Sequence, residues 1–170
     1  MIADRLRLIH RSQRGITLVE LMIVIALAGI VTAGITMTFA HVFSGSTRTS
    51  NHMTAVRQVQ SAGYWVSRDA LQAQDVDTVS EFVKLTWIDF DETKTEFTYT
   101  ITADSKLRRS VKITPDGEGT TETVSFVAQY IDPDETSCIW DGGMLAFTVT
   151  ATVGGQSETR VYDVTPRPGQ

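Results

Sequence analysis

The stretch Arg14-Gly15-Ile16-Thr17-Leu18-Val19-Glu20-Leu21-Met22-Ile23-Val24-Ile25-Ala26 decides how the rest of the chain is read. A basic residue and a glycine stand before an apolar run whose single charge, Glu20, lies near its start. From Leu21 to Ala40 there are 20 consecutive uncharged residues. At ~1.5 Å per helical residue they reach about 30 Å, the thickness of a bilayer's hydrocarbon core. Upstream, Arg5, Arg7, Arg11 and Arg14 face one acid, Asp4, while Arg48 is the first formal charge beyond the run. The positive-inside rule then keeps the N-terminus in the cytoplasm and exports everything after the span. The expected location is the cytoplasmic membrane, crossed once, with membrane lipid as a partner of the helix.

Composition narrows what the exported part does. The chain has 170 residues with 15 Lys+Arg against 20 Asp+Glu, a net charge of -5, which disfavours a phosphate-binding surface, and no nucleic-acid partner is expected. Cys138 stands alone, so no disulfide, Cys-x-x-Cys pair or thiolate zinc cluster forms within the chain. His10, His41 and His52 all precede the exported sheet region, which therefore builds no Ser-His or Cys-His pair of its own. Paired carboxylates remain, but nothing marks one pair among so many. No enzyme activity and no cofactor are expected.

Three readings compete for the apolar segment. A cleaved secretory signal has a shorter core and a clear small-residue cleavage site, whereas the small-residue sites here, near Ala33 and Ala40, are weak. A plain anchor explains the length and the arginines but gives Glu20 no purpose beyond reaching the headgroups. The third reading uses Glu20. The residues from Arg14 to Ala26 closely resemble the prepilin leader and helix of the type IV pilin and pseudopilin families. That resemblance implies an aspartyl prepilin peptidase cutting between Gly15 and Ile16, N-methylation of Ile16, and Glu20 as the fifth mature residue. It also implies assembly with other pilin or pseudopilin subunits on an inner-membrane platform, in a type IV pilus or a type II secretion pseudopilus. Physically, a carboxylate in hydrocarbon costs about 2.5–3.5 kcal/mol on insertion scales and needs a partner or an interface. The new amine of Ile16 on a neighbouring subunit would supply the partner, and this pairing is the family's scheme of assembly.

Past the span, the pattern predicts one helix and one sheet. Met53, Val56, Val59, Gly63, Val66 and Ala70 recur at spacings of three and four, followed by Leu71, so the helix continues with one face toward a core and breaks near Gln74 to Thr78. Gly29 and Gly34 soften its bilayer half, and Met37 stands where many major pilins carry a proline. From Phe82 the period changes to two. Strands are expected around Val83 to Trp87, Phe97 to Ala103, Leu107 to Ile113, Thr123 to Ile131, Leu145 to Val153 and Glu158 to Val164. Asp104-Ser105 and Gly154-Gly155 mark hairpins. The predicted fold is α+β, a long N-terminal helix packed on an antiparallel sheet of about six strands. Its expected parts are a leader (1–15), a transmembrane half-helix (16–43), an amphipathic half-helix (44–76) and a sheet domain (77–170).

Three further stretches, Tyr64 to Ala73, Leu107-Arg108-Arg109 and Val161 to Pro168, resemble those of J-type minor pseudopilins and related minor pilins. Asp132, Asp134, Glu135 and Asp141 form an acidic loop that could hold calcium, although the spacing does not match an EF-hand and Pro133 restricts the turn. No metal site is assigned on that basis. Cys138, beside Ile139 and Trp140, reads as a small buried hydrophobe, with an intermolecular disulfide left open. The functional expectation is a pilin-like structural subunit. The alternative is a membrane-tethered extracytoplasmic module that binds a ligand through its sheet.

Overall fold

The computed structural model of the chain describes residues 17–79, 82–117 and 119–167. The chain divides into two compact units, residues 1–46 and 47–170. Helix α1 (Leu18–Gln72) supplies the described part of the first unit and opens the second. It ends two residues before the expected break.

Residues 17–50 are exposed throughout. The helical hydroxyls among them are satisfied within the helix. Thr32 donates to the Ala28 carbonyl at 2.7 Å, Thr36 to Thr32 at 2.9 Å and Thr38 to Gly34 at 2.9 Å. Hydroxyls already bonded to the preceding turn add little to the cost of entering hydrocarbon. Leu27, Ile30, Val31, Phe39 and Phe43 are each more than half exposed, so this stretch buries nothing of its own.

In the second unit the helix turns one face inward: Ala55, Val59, Ala62, Gly63, Val66, Asp69 and Ala70 are buried. The face differs from the expected stripe. Met53 and Leu71 are 50% and 58% exposed, and Ala55 and Ala62 take the inward positions. A core that draws strands close to a helix selects small side chains there, and a reading weighted toward large apolar residues misses them.

Eight strands follow: β1 (Asp75–Asp77), β2 (Val83–Ile88), β3 (Lys94–Ile101), β4 (Lys106–Thr114), β5 (Thr121–Gln129), β6 (Ser137–Trp140), β7 (Leu145–Val153) and β8 (Gln156–Val164). Two more strands and one more sheet are present than the alternation predicted. The first five form an antiparallel meander and the last three a second antiparallel sheet, linked by a bridge between Ile131 and Ala151. The division has a local cause. Tyr130 takes φ 60° directly after β5, turning the chain out of the first sheet before Pro133 forbids a ladder donor. Both expected hairpins form, with Ser105 at φ 58° and Gly154 and Gly155 at φ 53° and 75°, the pair of positive angles that a two-residue type I′ turn requires.

Both sheets and the helix share one core. Val83, Leu85, Phe97, Tyr99 and Leu107 from the first sheet and Leu145, Phe147, Val149 and Ala151 from the second join Val59 and Val66 of α1 in it. The architecture is the α+β arrangement of a long N-terminal helix packed on antiparallel sheet.

Candidate assembly and processing site

The helix begins where the leader motif ends. Thr17 is the residue before α1, and its Oγ1 accepts the backbone N–H of Glu20 at 3.2 Å. This is half of a capping box, in which a Thr three residues before a Glu satisfies one of the orphan amides at a helix N-terminus. Thr-x-x-Glu before an apolar run is legible in sequence as a helix start, a signal left unused above. Glu20 also lies in the first turn, where the helix dipole favours negative charge. Its side chain is exposed, and among the described residues it forms no ion pair. Gly15 and Ile16, the expected cleavage and methylation positions, lie outside the described residues.

Gly29 and Gly34 are not required by the chain itself: a Cβ added to either meets nothing within 4 Å. Gly63 differs. A Cβ there would overlap the ring of Tyr162, whose hydroxyl donates to the Val59 carbonyl at 3.2 Å. The last strand thus seats an aromatic ring on the bare backbone of the helix.

A second fixing point lies deeper. The Asp69 carboxylate, 1% exposed, accepts from Tyr99 Oη at 2.6 Å, Arg109 Nε at 2.6 Å and Arg109 Nη2 at 3.0 Å. The Arg109 guanidinium also lies over the rings of Trp65 and Phe97, 4.9 and 5.0 Å from their centroids. Burial, reinforced by the negative charge of Asp69, pushes the Tyr99 hydroxyl far above its usual range. Burial pulls the Arg109 pKa down, but the hydrogen bond and charge of Asp69 more than reverse this, and the guanidinium stays charged. The geometry is that of a positioning device, because among the described residues no buried side-chain nitrogen or oxygen lacks a hydrogen-bond partner. Trp65 and Asp69 of α1 meet Arg109 of β4 in this network, and Tyr162 of β8 holds the helix separately at Gly63.

The expected acidic loop is two turns, because β6 separates Asp132, Asp134 and Glu135 from Asp141, and their carboxylates and backbone do other work. Asp132 Oδ1 accepts the Asp134 N–H at 3.0 Å, and Asp141 Oδ1 accepts those of Gly143 and Met144 at 2.9 and 2.7 Å. These amides hold the Asp141 carboxyl below the usual range. Glu135 contributes its backbone carbonyl, which accepts from Thr150 Oγ1 at 3.3 Å. Among the described residues no three His, Cys, Asp or Glu side chains gather as a metal would need. Cys138 is half-buried on β6, and burial pushes its thiol up to about 12, which keeps it protonated and unreactive at neutral pH.

Comparison with known families agrees with the leader. Residues 10–36 match the prokaryotic N-terminal methylation motif, the signature of type IV pilin and pseudopilin precursors. No curated protein and no solved structure matches the chain. The chain therefore carries a pilin-type processing motif joined to a helix long and apolar enough to cross a membrane.

Proposed function

We propose that this chain is a minor pilin or pseudopilin: a precursor cut after Gly15 by prepilin peptidase, N-methylated on Ile16 and co-assembled with other pilin-like subunits. The observation that carries this reading is the methylation motif at residues 10–36, which includes the start of a helix whose large apolar residues, from Leu18 to Phe43, are exposed. Such a surface is not stable in water and finds cover in lipid or in the helices of neighbouring subunits. The arginines ahead of the span support a cytoplasmic N-terminus and an extracytoplasmic domain on residues 47–170. That domain holds a buried network spent on its own packing, which supports a structural part in a type IV pilus or type II secretion pseudopilus.

Glu20 has the central role in this proposal. It meets the methylated amine of Ile16 on a subunit displaced along the assembly axis, a charge-assisted contact in a medium of low dielectric. The outermost tip subunit of a pseudopilus typically lacks this carboxylate, and this chain keeps it, which supports a position below another subunit. Glu20→Ala and Glu20→Gln are both expected to insert and to be processed, since each removes an intramembrane charge. Co-purification with partner subunits is expected to fall by about tenfold or more, in line with ~1.5–3 kcal/mol for a hydrogen bond to a charged group. Undiminished co-purification of both variants would reduce Glu20 to a helix cap and favour the tethered ligand-binding module.

A further inference from the structure

Two features of the second unit are complementary to each other. The turn joining β2 to β3 carries Phe90, which is 100% exposed, between Asp89, Asp91 and Glu92. The turn is internally bonded: Asp89 Oδ1 accepts the Phe90 N–H at 2.8 Å, Asp91 Oδ1 accepts the Thr93 N–H at 3.0 Å, and the Asp89 N–H donates to the Thr93 carbonyl at 3.0 Å. An aromatic ring presented on so defined a turn, with carboxylates on both sides, has the form of an interface anchor. The other feature is a groove of ≈ 620 Å³ between α1 and β8. Gly63 and Tyr162 lie in it, Tyr64 and Leu71 add apolar side chains that are 60% and 58% exposed, and Arg68 and Arg160 supply positive charge. The Arg68 guanidinium lies 5.3 Å from the centroid of Trp65, and Arg160 donates to Glu158 at 3.1 Å, so Arg68 is the cation better placed for an outside carboxylate.

We propose that the Phe90 turn of one copy docks in the groove between α1 and β8 of a second copy, with its acidic residues facing Arg68. The ring enters an apolar site of adequate size while the charges match at the rim, where they set orientation more than affinity. The contact joins the turn of one copy to a different surface of the next, and a reciprocal pair of such contacts closes a dimer. The inference rests on the assembly reading above and adds to it a contact outside the membrane-spanning helix.

The test uses the full chain in membranes, with p-benzoylphenylalanine in place of Phe90. Irradiation is expected to give a product of two copies, with the adduct mapping to residues 60–72 or 160–162. Arg68→Glu is expected to lower its yield about fivefold, and adding Asp91→Lys to restore it. Should Arg68→Glu lose the protease resistance of the parent, Leu71→Glu at an exposed position carries the test, with an expected loss of about tenfold. Adducts in another protein, in another part of the second copy or in a small apolar ligand would overturn the proposal, as would a charge reversal that fails to rescue. Processing after Gly15 and co-purification with pilin-like subunits are read in the same samples. If both persist while the cross-link fails, the docking falls alone; an uncut precursor overturns the assembly reading instead.

Discussion

The same helix obeys two rules along its length. Between Leu18 and Ser50 it buries no residue, and a Cβ added at Gly29 or Gly34 would meet nothing within 4 Å. Between Ala55 and Ala70 it buries seven, and its glycine is pressed against an aromatic ring. Residues of the second kind are held by the chain's own fold, whereas on the proposed function those of the first kind are covered by other molecules. Substitutions in the two stretches should therefore be read with different instruments, assembly for the first and unfolding for the second.

The largest loss of stability is expected at Asp69. Asp69→Ala leaves the Arg109 guanidinium buried without its carboxylate, and breaking such a pair costs about 3–5 kcal/mol. Urea unfolding followed by tryptophan fluorescence measures it, since Trp65 stacks on the affected guanidinium. Combining Asp69→Leu with Arg109→Met and Tyr99→Phe is expected to recover much of the loss, because the three apolar side chains leave neither an orphaned charge nor an orphaned hydroxyl.

A smaller effect separates the glycines. Replacing a helical glycine with alanine gains up to about 1 kcal/mol of propensity. At Gly63 overlap with Tyr162 costs about 1–3 kcal/mol, so Gly63→Ala is expected to be destabilising overall. Gly29→Ala and Gly34→Ala are expected to leave unfolding of the 47–170 unit unchanged. A fall in their co-purification with partner subunits would show a neighbouring helix packed against those positions, and no fall would remove the glycines from the interface.

How much of this was legible in sequence depends on the range of the interactions involved. The span, the capping pattern Thr17 to Glu20 and the six longer strands are local signals, each carried by 20 consecutive residues or fewer. β1 and β6 are too short to show a period, and they exist because partners hold them: Val76 lies opposite Leu85, and Cys138 opposite Phe147. The Asp69 and Arg109 pair joins positions 40 residues apart. Its one local trace is an aspartate set between Val66 and Ala70 on an otherwise apolar face, where a charge needs a partner. The separation into two sheets depends on the backbone angle at Tyr130, a residue type that does not announce a left-handed turn.

The smallest expected effect is on pH dependence. Glu96 accepts from Lys84 and Lys94, both at 2.9 Å, and these bonds hold its carboxyl below the usual value of 4.5. A carboxyl depressed in the folded state adds stability that is present above that value and lost as the pH falls through its folded pKa. Glu96→Gln is expected to flatten the acid limb of the stability curve by less than about 1 kcal/mol and to leave assembly unchanged.

The most direct test of the account is the identity of the first residue of the protein extracted from membranes. Mass spectrometry of the N-terminal peptide is expected to find N-methylated Ile16, with residues 1–15 and their four arginines removed. Gly15→Leu, which puts bulk where the peptidase needs a glycine, is expected to leave Met1 in place. A wild-type chain that keeps Met1, or that starts after Ala33 or Ala40, would contradict the account.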